Sequence, residues 1–423
     1  MAADATQLER LREQLAVLCE RNTFYRRRLG RDFAVRHQTS SLSEILEEIP
    51  LLTKDELVED QRQNAPYGSN LTFPVDHYVR LHQTSGTSGR PLSWLDTAES
   101  WQWFLDGWAD VFRAANIGAG DRAFFAFSFG PFIGFWAAFE ACRQLGVLAL
   151  SGGGLTTEQR LDVLLDHDAT VLVCTPTYAL RLAEAARDRG VDLAQSALRI
   201  TLHAGEPGAS LPAVRERLEA AYGARCHDHA GATEIGPWGL PGEDGFMDVN
   251  GEGFVAELLD PETEQLLVPQ PGGTRGELVL TNLGRHGSPV LRYRTGDLVD
   301  MWPAESADGN LRLAGGVLAR ADDMVVVRGV NVYPSALESI VRDFEAQSPA
   351  TVDEYRVDVH RRDEMIELKM TVEISGAPAE ATAAGLSELL RHRLKLRVPI
   401  EIAESGSLPR FELKAKRFHR HDV

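Results

Sequence analysis

The sequence predicts an α/β fold in two domains of unequal size. Short apolar runs typical of buried strands, such as 171–174 and 277–281, alternate with helical patterns, which predicts an α/β core with largely parallel sheets. The chain has 423 residues, more than one hydrophobic core usually serves. Near residue 320 a polar, turn-rich stretch gives way to a small α+β pattern. We therefore expect a large domain over 1–321 and a small one over 322–423.

Helical periodicity supports three elements of the large domain. Leucines at 8, 11, 15 and 18 form one stripe, which predicts a helix over 6–30 that stops at Gly30. Thr97 can cap a second helix, in which large apolar residues recur at three- and four-residue steps from 101 to 112. A third helix is predicted over 177–189, closed by Gly190.

The small domain is predicted from a shorter series of signals. A strand over 324–327 precedes a helix at Pro334, where Ser335 and Glu338 have the spacing of a capping box. A strand over 365–373, a helix over 381–396 and a strand over 400–403 complete the unit.

Charge and composition agree with a soluble enzyme. The formal net charge of -18 argues against nonspecific nucleic-acid binding, so any polyphosphate must be drawn to a local basic site. No basic region followed by an apolar run begins the chain, and no stretch of about 18 apolar residues occurs. We expect a cytoplasmic protein with no membrane partner, either a monomer or a homodimer.

A hydroxyl- and glycine-rich loop ending in a cation is the most informative feature of the sequence. Its glycines let backbone N–H groups turn toward an anion, its hydroxyls add donors, and the arginine adds charge. It is not a Walker A sequence, and taken alone such a cluster more often marks a solvated turn. Its residues are Thr84, Ser85, Gly86, Thr87, Ser88, Gly89 and Arg90.

Further segments give this loop a context. In chain order they are Ala204-Gly205-Glu206-Pro207, Ala230-Gly231-Ala232-Thr233-Glu234, Tyr293-Arg294-Thr295-Gly296-Asp297-Leu298, Arg320-Ala321-Asp322-Asp323 with 328–335, and 408–417 with Lys414. With the loop, they resemble the ordered motifs of the adenylate-forming superfamily of acyl-CoA ligases, adenylation domains and luciferases. Segments 24–29 and 52–57 and the compact length resemble the phenylacetate-CoA ligase family, from about residue 20 to the C-terminus.

The resemblance implies a two-step reaction. An acid is activated by ATP to an acyl adenylate, and the acyl group then passes to coenzyme A with release of AMP and pyrophosphate. By resemblance, Lys414 bridges the carboxylate and the α-phosphate, Thr233 contacts the α-phosphate, and Glu234 holds Mg²⁺. Arg90 and the loop hydroxyls hold the β- and γ-phosphates, Asp297 binds the ribose hydroxyls, and Asp322 is the hinge. Further cofactor contacts are implied for Gly205, Glu206, Pro207, Asp228, His229, Gly231, Ala232, Arg320 and Gly329.

Departures from the family pattern leave alternatives open. Ala230 stands where an aromatic residue would stack on adenine, so His229 or the backbone of 205–207 must hold the base instead. Leu413 and Ala319 replace glycines beside the catalytic lysine and the hinge. The alternatives are transfer of the acyl group to an amine or a carrier-protein thiol, and a nucleotide-binding protein without turnover.

The aromatic stretch 127–136 occupies the place where relatives line the acyl pocket. Its rings suit a flat substrate, which favours an aryl or arylacetic acid, although core packing explains any single ring equally well. The predicted pocket residues are Phe132, Phe135, Trp136, Ala204 and Gly236.

Four cysteines lack the spacing of a disulfide scaffold or a zinc ribbon. Cys226 is the exception in context, because it precedes two histidines and His203 can approach it if both segments line one cleft. Cys226, His203 and His229 are then either a zinc site or a hydrogen-bonded polar cluster.

Overall fold

The computed structural model describes residues 2–84, 91–131, 133–206, 208–243, 245–303, 311–327, 330–362, 365–411 and 415–421. Within these ranges the α-helices are α1 (Ala2–Arg21), α2 (Thr23–Leu29), α3 (Phe33–Arg36), α4 (Leu42–Glu48), α5 (Lys54–Gln63), α6 (Ala98–Ala114), α7 (Trp136–Leu145), α8 (Thr157–Asp166), α9 (Pro176–Asp188), α10 (Pro212–Tyr222), α11 (Pro334–Ala346) and α12 (Ala379–Leu394). The strands are β1 (Tyr78–Gln83), β2 (Ser93–Thr97), β3 (Arg122–Phe125), β4 (Leu148–Ser151), β5 (Val171–Cys174), β6 (Ile200–His203), β7 (Arg225–Asp228), β8 (Ala230–Ala232), β9 (Gly236–Pro241), β10 (Phe246–Val249), β11 (Phe254–Leu259), β12 (Leu266–Leu267), β13 (Thr274–Asn282), β14 (Tyr293–Trp302), β15 (Arg312–Arg320), β16 (Val325–Val327), β17 (Val330–Val332), β18 (Thr351–Arg362), β19 (Met365–Ser375), β20 (Ile400–Ile402) and β21 (Phe418–His421).

A parallel sheet of order β4-β3-β5-β6-β7 forms one layer of the large domain. Helices α6 and α7 pack on one face through an aromatic core, and α8, α9 and α10 cover the other face. The inner strands β3 and β5 are largely apolar because both of their faces are buried, as expected for a parallel sheet, whereas the edge strands β4 and β7 are partly exposed. This part of the structure confirms the predicted α/β class.

A second sheet of order β12-β11-β13-β14-β15-β10-β9-β8 is antiparallel. The expectation of largely parallel sheets is therefore wrong for this half of the domain. Its strands follow one another through short connections, with no crossover helix among the described residues, and such connections join antiparallel strands. The N-terminal helices pack on this sheet through the leucine stripe of α1.

The small α+β domain has a sheet of order β20-β19-β18-β21, covered by α11 and α12. β18 and β19 pair antiparallel, whereas β20 and β21 add in parallel at the two edges. Its core contains residues from Val325 onward. The small sheet is thus built entirely from the C-terminal part of the chain.

The predicted ends of helices were partly correct. The Thr97 hydroxyl caps α6 by accepting from the Ser100 N–H at 3.2 Å. The helix predicted over 6–30 is instead two helices, because Asn22 breaks the turn and caps α2 through Tyr25 N–H at 3.1 Å. α11 begins at Pro334 as predicted, but the capping box at Ser335 is wrong, because the N-cap is Tyr333 and Ser335 lies within the first turn.

Candidate active site

Asp297 and Arg320 form the best-defined part of the site. They lie opposite each other on β14 and β15, and Arg320 Nη1 donates to Asp297 Oδ1 and to the Thr295 carbonyl, each at 2.8 Å. The Thr295 hydroxyl accepts from the Asp297 N–H at 2.9 Å. Gly296 has φ +73°, and a Cβ there would lie 2.9 Å from the Arg320 guanidinium. The predicted ribose-binding carboxylate is therefore held in one orientation before any ligand arrives.

Thr233 and Glu234 follow β8 in a buried turn. The Tyr293 hydroxyl donates to Glu234 Oε1 at 3.0 Å, and burial followed by the neighbouring carboxylate raises the pKa of Tyr293 well above its usual value. The tyrosine therefore remains a proton donor at neutral pH. Glu234 is itself buried, and its carboxylate is the type of oxygen group that a hard cation such as Mg²⁺ prefers.

A buried ion pair between Arg285 and Asp96 holds the turn that contains Thr233 and Glu234. Arg285 is fully buried, donates to the Thr233 carbonyl at 2.8 Å, and binds both oxygens of the equally buried Asp96 at 2.8 and 2.7 Å. Its guanidinium also lies over the ring of Phe104, 5.0 Å from the centroid. Sequence reasoning missed Arg285 and Asp96, because nothing in their local sequence shows that residues 189 positions apart meet.

Thr84 stands at the base of the predicted phosphate loop. The β1–β2 hairpin closes beneath it, with the Thr84 N–H donating to the Leu92 carbonyl and the Thr84 hydroxyl accepting from the Leu92 N–H, both at 3.0 Å. The other loop residues, Ser85, Gly86, Thr87, Ser88, Gly89 and Arg90, lie outside the described residues. The hairpin therefore fixes where the loop starts and ends.

Asp228 and His229 end β7 at the carboxyl edge of the parallel sheet. Asp228 Oδ2 accepts from the Ser210 hydroxyl at 2.5 Å and the Ser210 N–H at 3.1 Å, yet burial raises the pKa of Asp228 to about 7. The His229 ring lies 4.2 Å from the Trp108 ring, its Nδ1 is 2.6 Å from the Gly239 carbonyl, and burial lowers its pKa to about 4. The His229 ring is therefore neutral at pH 7, whereas Asp228 is near the midpoint of its titration there.

The candidate zinc ligands do not converge. The register of β6 and β7 sets Cys226 opposite Thr201, while His203 lies opposite Asp228 and its Nδ1 is 3.2 Å from the Cys174 carbonyl. Burial raises the pKa of the Cys226 thiol to about 12, so a thiolate ligand is disfavoured. Within the described part of the chain, only a different group of three brings His, Cys, Asp or Glu ligand atoms within 4.8 Å of one another. The zinc alternative for Cys226, His203 and His229 is not retained.

Glu206 connects the two domains at the active site. Its Oε1 accepts from the Thr177 N–H at the start of α9 at 2.8 Å, and its Oε2 accepts from the Ala415 N–H at 3.0 Å. Ala415 directly follows Lys414, which lies outside the described residues, as do Pro207 and Gly329. Gly205 and Ala204 precede Glu206 at the end of β6, and Ala204 is buried. A carboxylate predicted to contact the nucleotide thus also binds the segment that carries the predicted catalytic lysine.

The hinge prediction falls on a short 3₁₀ turn, Ala321–Asp323, between β15 and β16. The side chain of Asp322 lies outside what the structure describes. The Asp323 carbonyl accepts from Arg420 Nη2 at 2.9 Å, so the last strand contacts this turn.

The aromatic stretch forms a continuous cluster beside His229. Phe135 is buried and lies 5.0 Å from the Phe127 ring and 6.0 Å from the Trp108 ring. Trp136 and Phe129 are half-buried and lie 4.6 Å apart, edge to face. Phe132 lies outside the described residues.

Gly231 and Gly236 lie close together where β8 pairs with β9. Gly236 has φ +122°, and a Cβ there would lie 2.7 Å from the Trp103 ring. A Cβ on Gly231 would lie 2.9 Å from the Gly236 carbonyl. Both glycines permit close packing here. Gly236 adjoins Trp103, a residue that the sequence did not assign to the site. Ala232, the last residue of β8, pairs with Gly236.

Comparisons with known proteins agree with this geometry. Residues 329–421 match the model of the AMP-binding enzyme C-terminal domain. The chain is 31% identical to the phenylacetate-coenzyme A ligase of Escherichia coli strain K12, covering 98% of this chain and 93% of that protein. It is also 31% identical to the phenylacetate-coenzyme A ligase of Thermus thermophilus, over 88% of this chain and 81% of the relative.

Solved structures of 2-hydroxyisobutyryl-CoA ligase distinguish two arrangements of the domains. The postadenylation state with 2-HIB-AMP matches with a TM-score of 0.90 at 27% identity, covering 99% of this chain and 90% of that one. The thioesterification state with 2-HIB-AMP and CoA matches with a TM-score of only 0.70 at 28% identity, covering 99% and 89%. The domains here are therefore arranged more as in the postadenylation state. Among the helices that the structure describes, none is both long and apolar enough to cross a membrane.

Proposed function

Because the chain belongs to the phenylacetate-CoA ligase family and is an AMP-forming acid–CoA ligase, we propose that the acid it activates is an aryl or arylacetic acid. The carboxylate attacks the α-phosphorus of ATP, pyrophosphate leaves, and the acyl adenylate then gives its acyl group to the thiol of coenzyme A. The observation that carries the proposal is the ring cluster of Phe127, Phe129, Phe135 and Trp136 beside His229, which offers flat apolar walls.

Asp297 and Arg320 are proposed to hold the ribose. Two carboxylate oxygens suit the two ribose hydroxyls, and Arg320 keeps the acceptor oriented through its 2.8 Å bond. Ala230, paired with Gly239 at the start of β8, leaves room for adenine without stacking on it. His229 and the backbone near Gly205 are the proposed base contacts.

Thr233, Glu234 and the loop over 84–90 are proposed to hold the triphosphate. The Glu234 carboxylate would hold Mg²⁺, which would supply positive charge to neutralise the phosphates. Tyr293 and Arg285 position the turn from beneath, by the bonds described above. Two anions must meet in the first step, so positioning and neutralisation supply most of the rate.

Lys414 is proposed to bridge the carboxylate and the α-phosphate in the first step. The bond from Ala415 N–H to Glu206 supports this role, because it brings the adjoining residue to the large domain. We propose that the domains divide at 321/322 and that Asp322 is the pivot that later withdraws Lys414.

A second candidate substrate is a small 2-hydroxy acid, favoured by the 0.90 TM-score to 2-hydroxyisobutyryl-CoA ligase. Pyrophosphate release measured with phenylacetate, benzoate and 2-hydroxyisobutyrate, each with and without coenzyme A, separates the two. We expect kcat/KM for an aromatic acid to exceed that for 2-hydroxyisobutyrate at least roughly tenfold, the scale on which an apolar pocket discriminates. The reverse order would overturn the aromatic assignment and leave the ligase activity intact.

A further inference from the structure

Two strands of the small domain bring three metal-ligating side chains together, away from the nucleotide site. Asp358 and His360 are two residues apart on β18 and so lie on the same face of its sheet. β21 pairs in parallel with β18, with His421 in register with His360. The two imidazole rings stack 4.6 Å apart at an interplanar angle of 10°.

The geometry points to a transition-metal site formed by Asp358, His360 and His421, which takes Zn²⁺ or a divalent cation of similar ligand preference. One ligand atom from each residue lies within 4.8 Å of the others, and His421 Nε2 is 2.8 Å from Asp358 Oδ1. Two imidazole nitrogens and one carboxylate oxygen are a donor set that zinc uses with a water molecule in the fourth position.

The surroundings of the carboxylate suit a ligand rather than a chance surface pair. Asp358 is buried, and its Oδ2 accepts from Arg356 Nε at 2.9 Å. Such a bond orients a ligating carboxylate and leaves Oδ1 facing the imidazoles.

The two imidazoles remain accessible to a cation from solvent. His360 and His421 are both exposed, and the side chain of His421 keeps 47% of its exposure. To bind the cation, the neutral His421 ring takes the tautomer protonated at Nδ1, so that Nε2 and Asp358 Oδ1 can both act as ligands.

Metal binding here ties an edge strand in place. β21 has only four residues, and its Arg420 donates to the Asp323 carbonyl in the 3₁₀ turn that joins the domains. A cation that clamps β21 to β18 therefore also steadies the strand that contacts this turn. The proposal does not depend on the identity of the acid substrate.

The test uses the full chain, stripped with a chelator and titrated with Zn²⁺ against a chromophoric competitor. We expect one zinc per chain that is lost in the double variant His360→Ala/His421→Ala, and affinity weakened roughly 10–100-fold or more in Asp358→Asn. The matched control is His392→Ala, which removes an exposed histidine of α12 and should bind zinc as the wild type does. Co²⁺ should give intense visible bands of tetrahedral coordination in the wild type and in His392→Ala, but not in the double variant.

Folding of each variant is followed by circular dichroism with chelator present. Zinc should raise the melting temperature of the wild type and leave that of the double variant unchanged, because only a bound cation stabilises the native state. Equal zinc affinity and equal melting shift in wild type and double variant would overturn the site, as would failure of the stripped wild type to bind stoichiometric zinc.

Discussion

The ion pair between Arg217 and Glu345 should hold the small domain in its adenylation position. Arg217 lies on α10 of the large domain and donates to both oxygens of Glu345 on α11, at 3.0 and 2.9 Å. Glu345 also accepts from Arg342 at 2.7 Å and from the Val352 N–H at 2.8 Å. Removing Arg217 therefore weakens the contact between domains without leaving a buried carboxylate unpaired.

The magnitude follows from the exposure of the pair. The side chain of Arg217 is 33% exposed and that of Glu345 is 9% exposed. Fully exposed pairs contribute about 0.2–1 kcal/mol, and well-buried charged hydrogen bonds about 1.5–3 kcal/mol. We take about 1 kcal/mol after screening, which shifts the balance between the two domain arrangements about fivefold.

The assay compares the two half-reactions of Arg217→Ala. Acid-dependent exchange of pyrophosphate into ATP should fall by up to about fivefold, while thioester formation from a supplied acyl adenylate should be unchanged or faster. The matched control is Arg181→Ala, because Arg181 lines the same interdomain cleft of about 510 Å³ and has a similar exposure of 32%, but pairs with Glu184 on its own helix. If the two variants behave alike, or if both half-reactions of Arg217→Ala fall together, the reasoning is refuted.

Three further changes test single residues. Asp297→Ala removes the charged acceptor of the ribose hydroxyls, so the Kd for ATP, measured by calorimetry, should rise at least roughly tenfold. Lys414→Ala should cost adenylation about 2–4 kcal/mol of transition-state stabilisation yet spare thioester formation from a supplied adenylate, whereas the exposed Lys416→Ala should spare both. Asp228 has a pKa raised by burial from 3.8 to about 7, so its contribution to stability is lost as pH rises through that interval. Asp228→Asn should therefore raise the melting temperature more at pH 8 than at pH 5.

Each of these has a contrary result. An unchanged ATP titration would remove Asp297 from the ribose site. Equal loss of both half-reactions in folded Lys414→Ala would remove the lysine from a step-specific role. A melting shift for Asp228→Asn that is the same at pH 5 and pH 8 would show that the carboxylate keeps its ordinary titration.

Much of the fold was predictable from signals between residues close in sequence. The wrong predictions concern segments whose structure depends on contacts with residues far away in sequence. Thr97 needs only its own hydroxyl to cap α6, and the apolar run of β5 needs only burial, so both were predictable. The break at Asn22 was not, because the Asn22 side chain also donates to Asn70 and Thr72, about fifty residues away. The hydrophobic periodicity of the sequence, taken alone, therefore predicts one continuous helix there.

The candidate site shows the same contrast between contacts that are local in sequence and contacts between distant residues. The motif around Asp297 could be recognised in the sequence because its contacts are local: the carboxylate, Gly296 and the hydroxyl of Thr295 lie within one turn of chain. The contact from Glu206 to Ala415 spans 209 residues and depends on how the domains meet. The zinc alternative for Cys226 failed for a related reason, since strand register, which spacing does not reveal, sets the thiol opposite Thr201.

Transfer of an oxygen label tests the central claim most directly. An aromatic acid labelled with ¹⁸O in its carboxylate is incubated with the enzyme, ATP, Mg²⁺ and coenzyme A, and the products are analysed by mass spectrometry. Attack of the carboxylate on the α-phosphorus predicts one labelled oxygen in AMP, unlabelled pyrophosphate and an equal amount of aryl or arylacetyl-CoA. Label in inorganic phosphate, or AMP formed without label, would contradict an acyl adenylate route.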